Sequence, residues 1–182
     1  KLTQTYTFPT IIEPHEKWQN VNYTGNNILE SFYSDIKRWA YSFQSYVFLT
    51  RIQALQEKME LRPSENFFIA ERSVIADRYT FASLCYEAGN MSELEWNMYV
   101  SWYEWLVSLL NPIPVGIIYL RTSPEISYKR INVRNRQEES SVPLEYLEQL
   151  HDKHDQWLVH KIHVGETIRK IPVLILDCNK DF

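Results

Sequence analysis

A parallel α/β sheet flanked by helices is the fold class this sequence predicts. Short apolar runs without alternation, Phe67-Phe68-Ile69-Ala70, Val115–Leu120 and Pro172–Asp177, suit strands buried on both faces. Stretches with three- and four-residue apolar spacing lie between them, giving the strand, helix, strand order of parallel sheets. The 182 residues suffice for one domain with a full core, and no internal repeat divides them.

In order, Thr5–Glu13 reads as a short strand ending before Pro14, which disfavours helical continuation. Trp18 and a polar loop through Asn26-Asn27 follow. The spacing predicts a long helix over 28–60, bent near Ser34-Asp35, with Phe32, Trp39, Phe43, Tyr46, Val47 and Thr50 along one stripe. Gln44 and Arg51 interrupt that stripe, either functionally or as solvated residues at its edge. Pro63–Asn66 is a turn into the strand at 67–70. The next helix starts after Ser73 and ends near Gly89, a residue suited to the C′ position. Ser92-Glu93-Leu94-Glu95 is a capping box opening a tryptophan-rich helix that runs to Asn111-Pro112. Ser123-Pro124 supplies an N-cap and a first-turn proline after the strand at 115–120. Gln137–Ser141 interrupts the helix carrying Arg130 and Arg134, and Pro143 opens a last long helix through about Ile162.

Composition sets limits. Hydrophobic content of 45% and charged content of 23% are those of an ordinary globular domain. A net charge of −4 argues against broad nucleic-acid binding, while leaving room for a small ligand held by a local basic cluster. Cys85 and Cys178 give neither a disulfide framework nor metal-ligand spacing. No apolar run approaches the ~18–20 residues of a membrane span. The chain opens at Lys1 without methionine, so targeting is unreadable, and the expected compartment is the cytoplasm or the mitochondrion.

Two predicted strands end in glutamates, Glu13 and Glu71, which a parallel sheet would bring to one rim, where ligands of open α/β sheets bind. Paired carboxylates there suit a general base and a magnesium ligand; the bland alternative is two solvent-facing strand ends. Arg130 and Arg134 share a helix face, about 5–6 Å apart at Cβ, with Arg136 just beyond. Such a cluster needs anions, either Glu138 and Glu139 or a bound phosphate, as in phosphoryl transfer. A solvated, salt-bridged face is the alternative. Trp18, Phe43 and Phe81 suit walls for a planar base, or simply core.

Taken in order, these residues resemble the deoxyribonucleoside kinase family, which includes the deoxycytidine, deoxyguanosine and mitochondrial thymidine kinases. The matching stretches are I-E-P at 12–14 with Trp18, R-W-A-Y-S-F-Q-S-Y at 38–46 and E-R-S-V-I-A-D-R-Y-T-F-A at 71–82. I-I-Y-L-R-T-S-P-E at 117–125, R-I-N-V-R-N-R-Q-E-E at 130–139 and P-L-E-Y-L-E-Q-L-H at 143–151 complete them. The similarity covers nearly the whole chain.

The resemblance implies a P-loop kinase-like fold with a five-stranded parallel sheet, one domain over 1–182 with a lid region at 130–142, and a homodimer. It implies transfer of the γ-phosphate of ATP, with Mg2+, to the 5′-hydroxyl of a deoxynucleoside in nucleotide salvage, with no nucleic-acid or membrane partner. Position by position, Glu13 resembles the base for the 5′-hydroxyl, Glu71 the magnesium ligand and Arg72 the residue steadying the reacting phosphate. Arg130, Arg134 and Arg136 resemble the lid arginines, and Tyr33 with Glu139 the pair gripping the 3′-hydroxyl. Gln44 resembles the amide reading the base edge, with Trp18, Phe43, Phe81 and Val47 around the base. Asp181-Phe182 resembles the segment cupping the donor base. An Arg51–Asp77 pair at the far end of the pocket is similar to that of the deoxycytidine and purine kinases, although 117–125 is closer to thymidine-type and broad-specificity members.

One departure stands out. No G-x-x-x-x-G-K-[ST] occurs, since the four glycines lie at 25, 89, 116 and 165. The expectation is a chain missing its first strand and P-loop, a piece of ~20–35 residues, and ending short of a terminal helix. Such a chain is expected to be weakly active or inactive, the alternative being a catalytically dead relative that binds nucleosides or dimerises.

Overall fold

The computed structural model describes residues 8–61, 67–139 and 142–180. The strand pairs are parallel. β1 (Thr10–Ile11) pairs with β2 (Ile69–Ala70), in register Thr10 to Ile69 and Ile11 to Ala70. β3 (Ile117–Arg121) pairs with β4 (Val173–Asp177), from Ile117 opposite Val173 to Arg121 opposite Asp177. The α/β class holds, but among the described residues the sheet is two separate two-stranded pieces rather than one of five strands.

The strands are also not buried on both faces as their apolar runs suggest. Phe67 is 61% exposed and Val115 81%, and Ile118, Leu120 and Leu174 are exposed as well. A two-stranded piece has helices to cover one face only, so Tyr119 is buried while its strand neighbours are not. The predicted strand over 5–13 is Thr10–Ile11 within the described residues, and Glu13 lies in the loop that follows.

Helices form where capping and periodicity place them. α1 (His15–Gln19) leads through a 3-10 turn to α2 (Ile28–Ser34), which Asn27 caps by accepting from the Glu30 N–H at 2.9 Å. Asp35 has φ −148 and breaks the helix at the predicted bend, and α3 (Ile36–Leu61) continues beyond it. Ser73 caps the 74–87 helix, α4, by accepting from the Ala76 N–H at 3.2 Å. This helix carries a π-turn at Arg78–Ala82 that periodicity does not reveal, and Gly89 follows it at φ +72, where glycine escapes the steric cost. The Ser92–Glu95 capping box is present at the start of α5 (Glu93–Leu110), which ends on left-handed Asn111.

α6 (Pro124–Arg134) has Ser123 at its N-cap position, but the hydroxyl makes no cap bond; the Ser123 N–H donates instead to Asn179 Oδ1 at 2.8 Å. α7 (Leu144–Leu158) stops four residues before the predicted end, and Lys161 and His163, both at positive φ, carry the chain away. A short helix not read from sequence, α8 (Glu166–Arg169), precedes β4.

Two cores share α3. Phe48 and Ile52 join Ile75, Tyr99, Trp157 and Ile168 in one. Ala40, Phe43 and Val47 join Trp18, Phe32 and Cys85 in the other. Each large side chain so buried contributes about 1.5–3 kcal/mol, which fixes α3 against both α2 and α4. The aromatic richness of α5 is only half spent on this core: Trp96 stacks on Tyr86 at 4.8 Å, while Trp102 and Trp105 remain more than half exposed.

Candidate active site

The parallel register brings the ends of β1 and β2 to the same rim, so Glu13 and Glu71 line one cleft of about 1010 Å³. Their environments differ sharply. Glu71 is exposed, whereas the Glu13 side chain is only 2% exposed and tied to three partners. Arg51 Nη2 contacts its Oε1, Arg72 Nη1 lies 3.1 Å from its Oε2, and His15 Nε2 lies 3.2 Å from the same oxygen. Burial alone would raise the Glu13 pKa; the His15 hydrogen bond and the Arg72 and Arg51 charges outweigh it and hold the carboxyl at about 2. Glu13 is thus no solvent-facing strand end.

Arg51 is 7% exposed and reaches two carboxylates, since its Nη1 also donates to Asp77 Oδ1 at 2.7 Å. Tyr99 donates to the other Asp77 oxygen at 2.7 Å. Burial pushes the Asp77 carboxyl up, and these two donors oppose it by favouring the charged form. The guanidinium of Arg51 also lies 5.4 Å from the Trp18 ring centroid.

Arg72 has a left-handed backbone, φ +59, that costs a non-glycine residue about 1–3 kcal/mol. Its side chain offsets that strain by gripping Glu13 and lying over Phe81, 4.9 Å from the ring centroid. Nothing in the local sequence marks this conformation.

The cleft wall beyond these charges is apolar. Trp18 packs edge-on to Phe43 at 6.0 Å, with Val47 beside them and Phe81 across, all lining the cleft. Trp18 donates its indole N–H to Thr50 at 2.9 Å, so its ring is held rather than adaptable. Gln44 is 1% exposed; its Nε2 donates to Cys85 Sγ at 3.7 Å, and its Oε1 has no hydrogen-bond partner among the described residues. A buried orphan carbonyl costs about 1–3 kcal/mol, so a ligand donor would satisfy it. Neither Gln44 nor Arg51 is a solvated stripe edge.

On the opposite side, Arg134 and Arg136 both contact Glu139, the latter at 3.4 Å, while Arg130 reaches the Lys180 carbonyl at 3.3 Å. Glu138 pairs with Gln19 instead, at 2.6 Å. Burial and then the Glu139 charge push the Tyr33 hydroxyl up to about 12, so it stays a neutral donor. Arg130, Arg134, Arg136, Tyr33 and Glu139 line the same cleft as Glu13 and Glu71. The predicted pair Asp181 and Phe182 lies outside the described residues. Among those described, no three His, Cys, Asp or Glu side chains cluster as a metal site. The exposed Glu71 carboxylate still has the chemistry for Mg2+, which takes one or two carboxylates and completes its shell with phosphate oxygens and water.

Sequence reasoning missed His15, Tyr99, Tyr146 and His154. Tyr146 and His154 line the cleft from α7, and burial pushes His154 down to about 4. A signal existed for His15 alone: Glu-Pro-His in a tight turn, where the His15 N–H bonds the Glu13 carbonyl at 2.8 Å.

A rigid aromatic slot ending in an amide and an ion pair thus opens onto the carboxylates beyond β1 and β2 and onto the arginines of α6 and the segment after it. The Deoxynucleoside kinase family pattern matches residues 1–182. Deoxycytidine kinase 2 of Gallus gallus is 41% identical over 94% of this chain and 72% of its own length. The mitochondrial deoxyguanosine kinase of Xenopus laevis is 39% identical over 98% and 74%, and a probable deoxycytidine kinase of fowlpox virus 39% over 96% and 70%. This chain belongs to the deoxynucleoside kinase family, whose phosphate donor is ATP. No helix among the described residues is long and apolar enough to cross a membrane.

Proposed function

We propose that this domain, residues 1–182, binds a deoxynucleoside with its base between Trp18, Phe43 and Phe81 and its 5′-hydroxyl at Glu13. Deoxycytidine and the purine deoxynucleosides are preferred over thymidine, in nucleotide salvage in the cytoplasm or mitochondrion. The observation that carries this reading is the buried Arg51–Asp77 pair beside the orphan Gln44 carbonyl. An exocyclic amino group supplies the donor that this carbonyl lacks, whereas thymine offers a carbonyl and a methyl there.

Within the site, Tyr33 and Glu139 hold the sugar 3′-hydroxyl and Glu13 with Arg72 orients the 5′ end. The lid, 130–142, brings Arg130, Arg134 and Arg136 to the phosphates, where guanidiniums offset the negative charge of the transferring group. Glu71 holds Mg2+, which supplies charge neutralisation when bound. With a charge of −4, no nucleic-acid partner is proposed.

These 182 residues contain no G-x-x-x-x-G-K-[ST], so binding is expected to exceed turnover. That same absence favours a second reading, a nucleoside-binding or dimerising relative without catalysis. A panel of four deoxynucleosides separates them. Calorimetry should rank deoxycytidine at least about tenfold above thymidine, with weak or no phosphorylation under ATP and Mg2+. Thymidine binding as tightly as deoxycytidine would sink the preference, and vigorous phosphorylation would sink the claim of weak activity.

The homodimer is proposed on α5, where Leu94, Met98, Trp102, Trp105 and Leu109 recur at three- and four-residue steps and are each at least 42% exposed. Light scattering should give twice the 21.8 kDa chain mass, and Trp105→Glu should return the monomer. A monomeric wild type would refute this.

A further inference from the structure

Gln44 on α3 lines the cleft at 1% exposure, and the two ends of its amide are held unequally. Its Nε2 donates to the Cys85 sulfur on α4 at 3.7 Å, while its Oε1 has no partner among the described residues. Cys85 stands behind the amide, 2% exposed and outside the described lining of the cleft, in the core that also holds Trp18, Phe32, Phe43 and Val47. Burial pushes its thiol up to about 12, so the sulfur stays neutral and is no nucleophile.

The direction of this amide matters because its ends are chemically opposite: the NH2 carries two donors and the carbonyl only accepts. Cytosine presents a ring-nitrogen acceptor beside an amino donor, and adenine offers the same adjacent pair. Uracil and thymine present a ring N–H beside a carbonyl, the same pair in reverse order. An amide held one way round therefore fits the first set with two hydrogen bonds, and must turn end for end to fit the second. A thiol S–H is only a weak donor, so the sulfur favours the orientation in which it accepts from the amide N–H. That orientation is the one present, and it leaves Oε1 for a ligand.

We propose that Cys85 is a positioning residue for base specificity: its sulfur holds the Gln44 amide with the carbonyl toward the base, and so favours an amino-bearing edge over a carbonyl-bearing one. Cys85 touches no ligand and acts through Gln44. The two residues lie 41 positions apart on different helices, so no local pattern announces the contact. The inference rests on the deoxynucleoside reading above and adds what orients the amide within that pocket.

The test compares deoxycytidine with deoxyuridine, which differ at this edge and carry no methyl group to add a steric effect. Calorimetry on wild type, Cys85→Ala and Cys85→Ser reads the ratio of the two affinities. Wild type should favour deoxycytidine about tenfold, the worth of one buried hydrogen bond. Cys85→Ala removes the acceptor, and the ratio should fall at least about threefold. Cys85→Ser returns an acceptor at the same place and should keep the ratio within about twofold of wild type. A sulfur that merely fills space would affect both ligands alike, so an unchanged ratio in Cys85→Ala overturns the proposal. A Cys85→Ser ratio as low as that of Cys85→Ala overturns it too. A wild-type ratio near one, with deoxycytidine bound, instead overturns the reading of the base edge by Gln44, and this inference with it. If wild type binds neither ligand, the deoxynucleoside reading itself falls.

Discussion

Arg51→Ala should be the most destabilising single substitution at the cleft, by about 3–5 kcal/mol, because it takes the guanidinium from two buried carboxylates at once. Asp77 is 1% exposed and Glu13 6%, and Arg51 is the cation that contacts both. For a chain of this size each kcal/mol lowers the melting temperature by about 2–4 °C, so a loss of roughly 10 °C is expected. The deficit should also depend on pH with a definite sign. Without Arg51 the folded-state pKa values of Glu13 and Asp77 rise, so the variant recovers part of its stability as pH falls and the carboxyls protonate. Arg51→Met combined with Asp77→Asn should recover more than the sum of the singles, since Tyr99 can still bond a neutral Asn side chain. Thermal melts at pH 5 and pH 8 check this, and an equal deficit at both would contradict it.

Glu13→Gln should remove a pH-dependent share of stability. The folded carboxyl is held at about 2, below its ordinary value of 4.5, a depressed pKa. Such a group contributes its full stability above the unfolded value and loses it as pH falls through the folded one. The shift corresponds to about 3 kcal/mol at neutral pH, at 1.36 kcal/mol per unit. The gap between wild type and Glu13→Gln should therefore shrink by roughly 1.5 kcal/mol between pH 7 and pH 3.5, measured by urea unfolding. A gap constant across that range would mean the ion pairs around Glu13 contribute nothing net.

The helices were largely legible because their signals are local. Ser73 and Ser92 with Glu95 announce their caps within four residues, and Asp35 breaks the helix where its apolar stripe shifts. The end of α7 and the π-turn at Arg78–Ala82 were not, since burial of Trp157 and Thr80 overrides local preference there. The strand runs of Val115–Leu120 and Pro172–Asp177 marked strands correctly but misled about burial, because an apolar run does not say what covers it.

The order of residues pointed to the α/β class through short-range periodicity, and the resemblance pointed to many of the side chains that line the cleft, though not to His15, Tyr146 or His154. It also showed the phosphate loop to be absent from these 182 residues. Only the folded chain decided how those side chains share charge. The resemblance pairs Arg51 with Asp77, but its second partner is Glu13, 38 residues away, and Arg72 bends back through a left-handed backbone to the same carboxylate. Such contacts join residues far apart in sequence, and their strength depends on the exclusion of water, which no local pattern encodes.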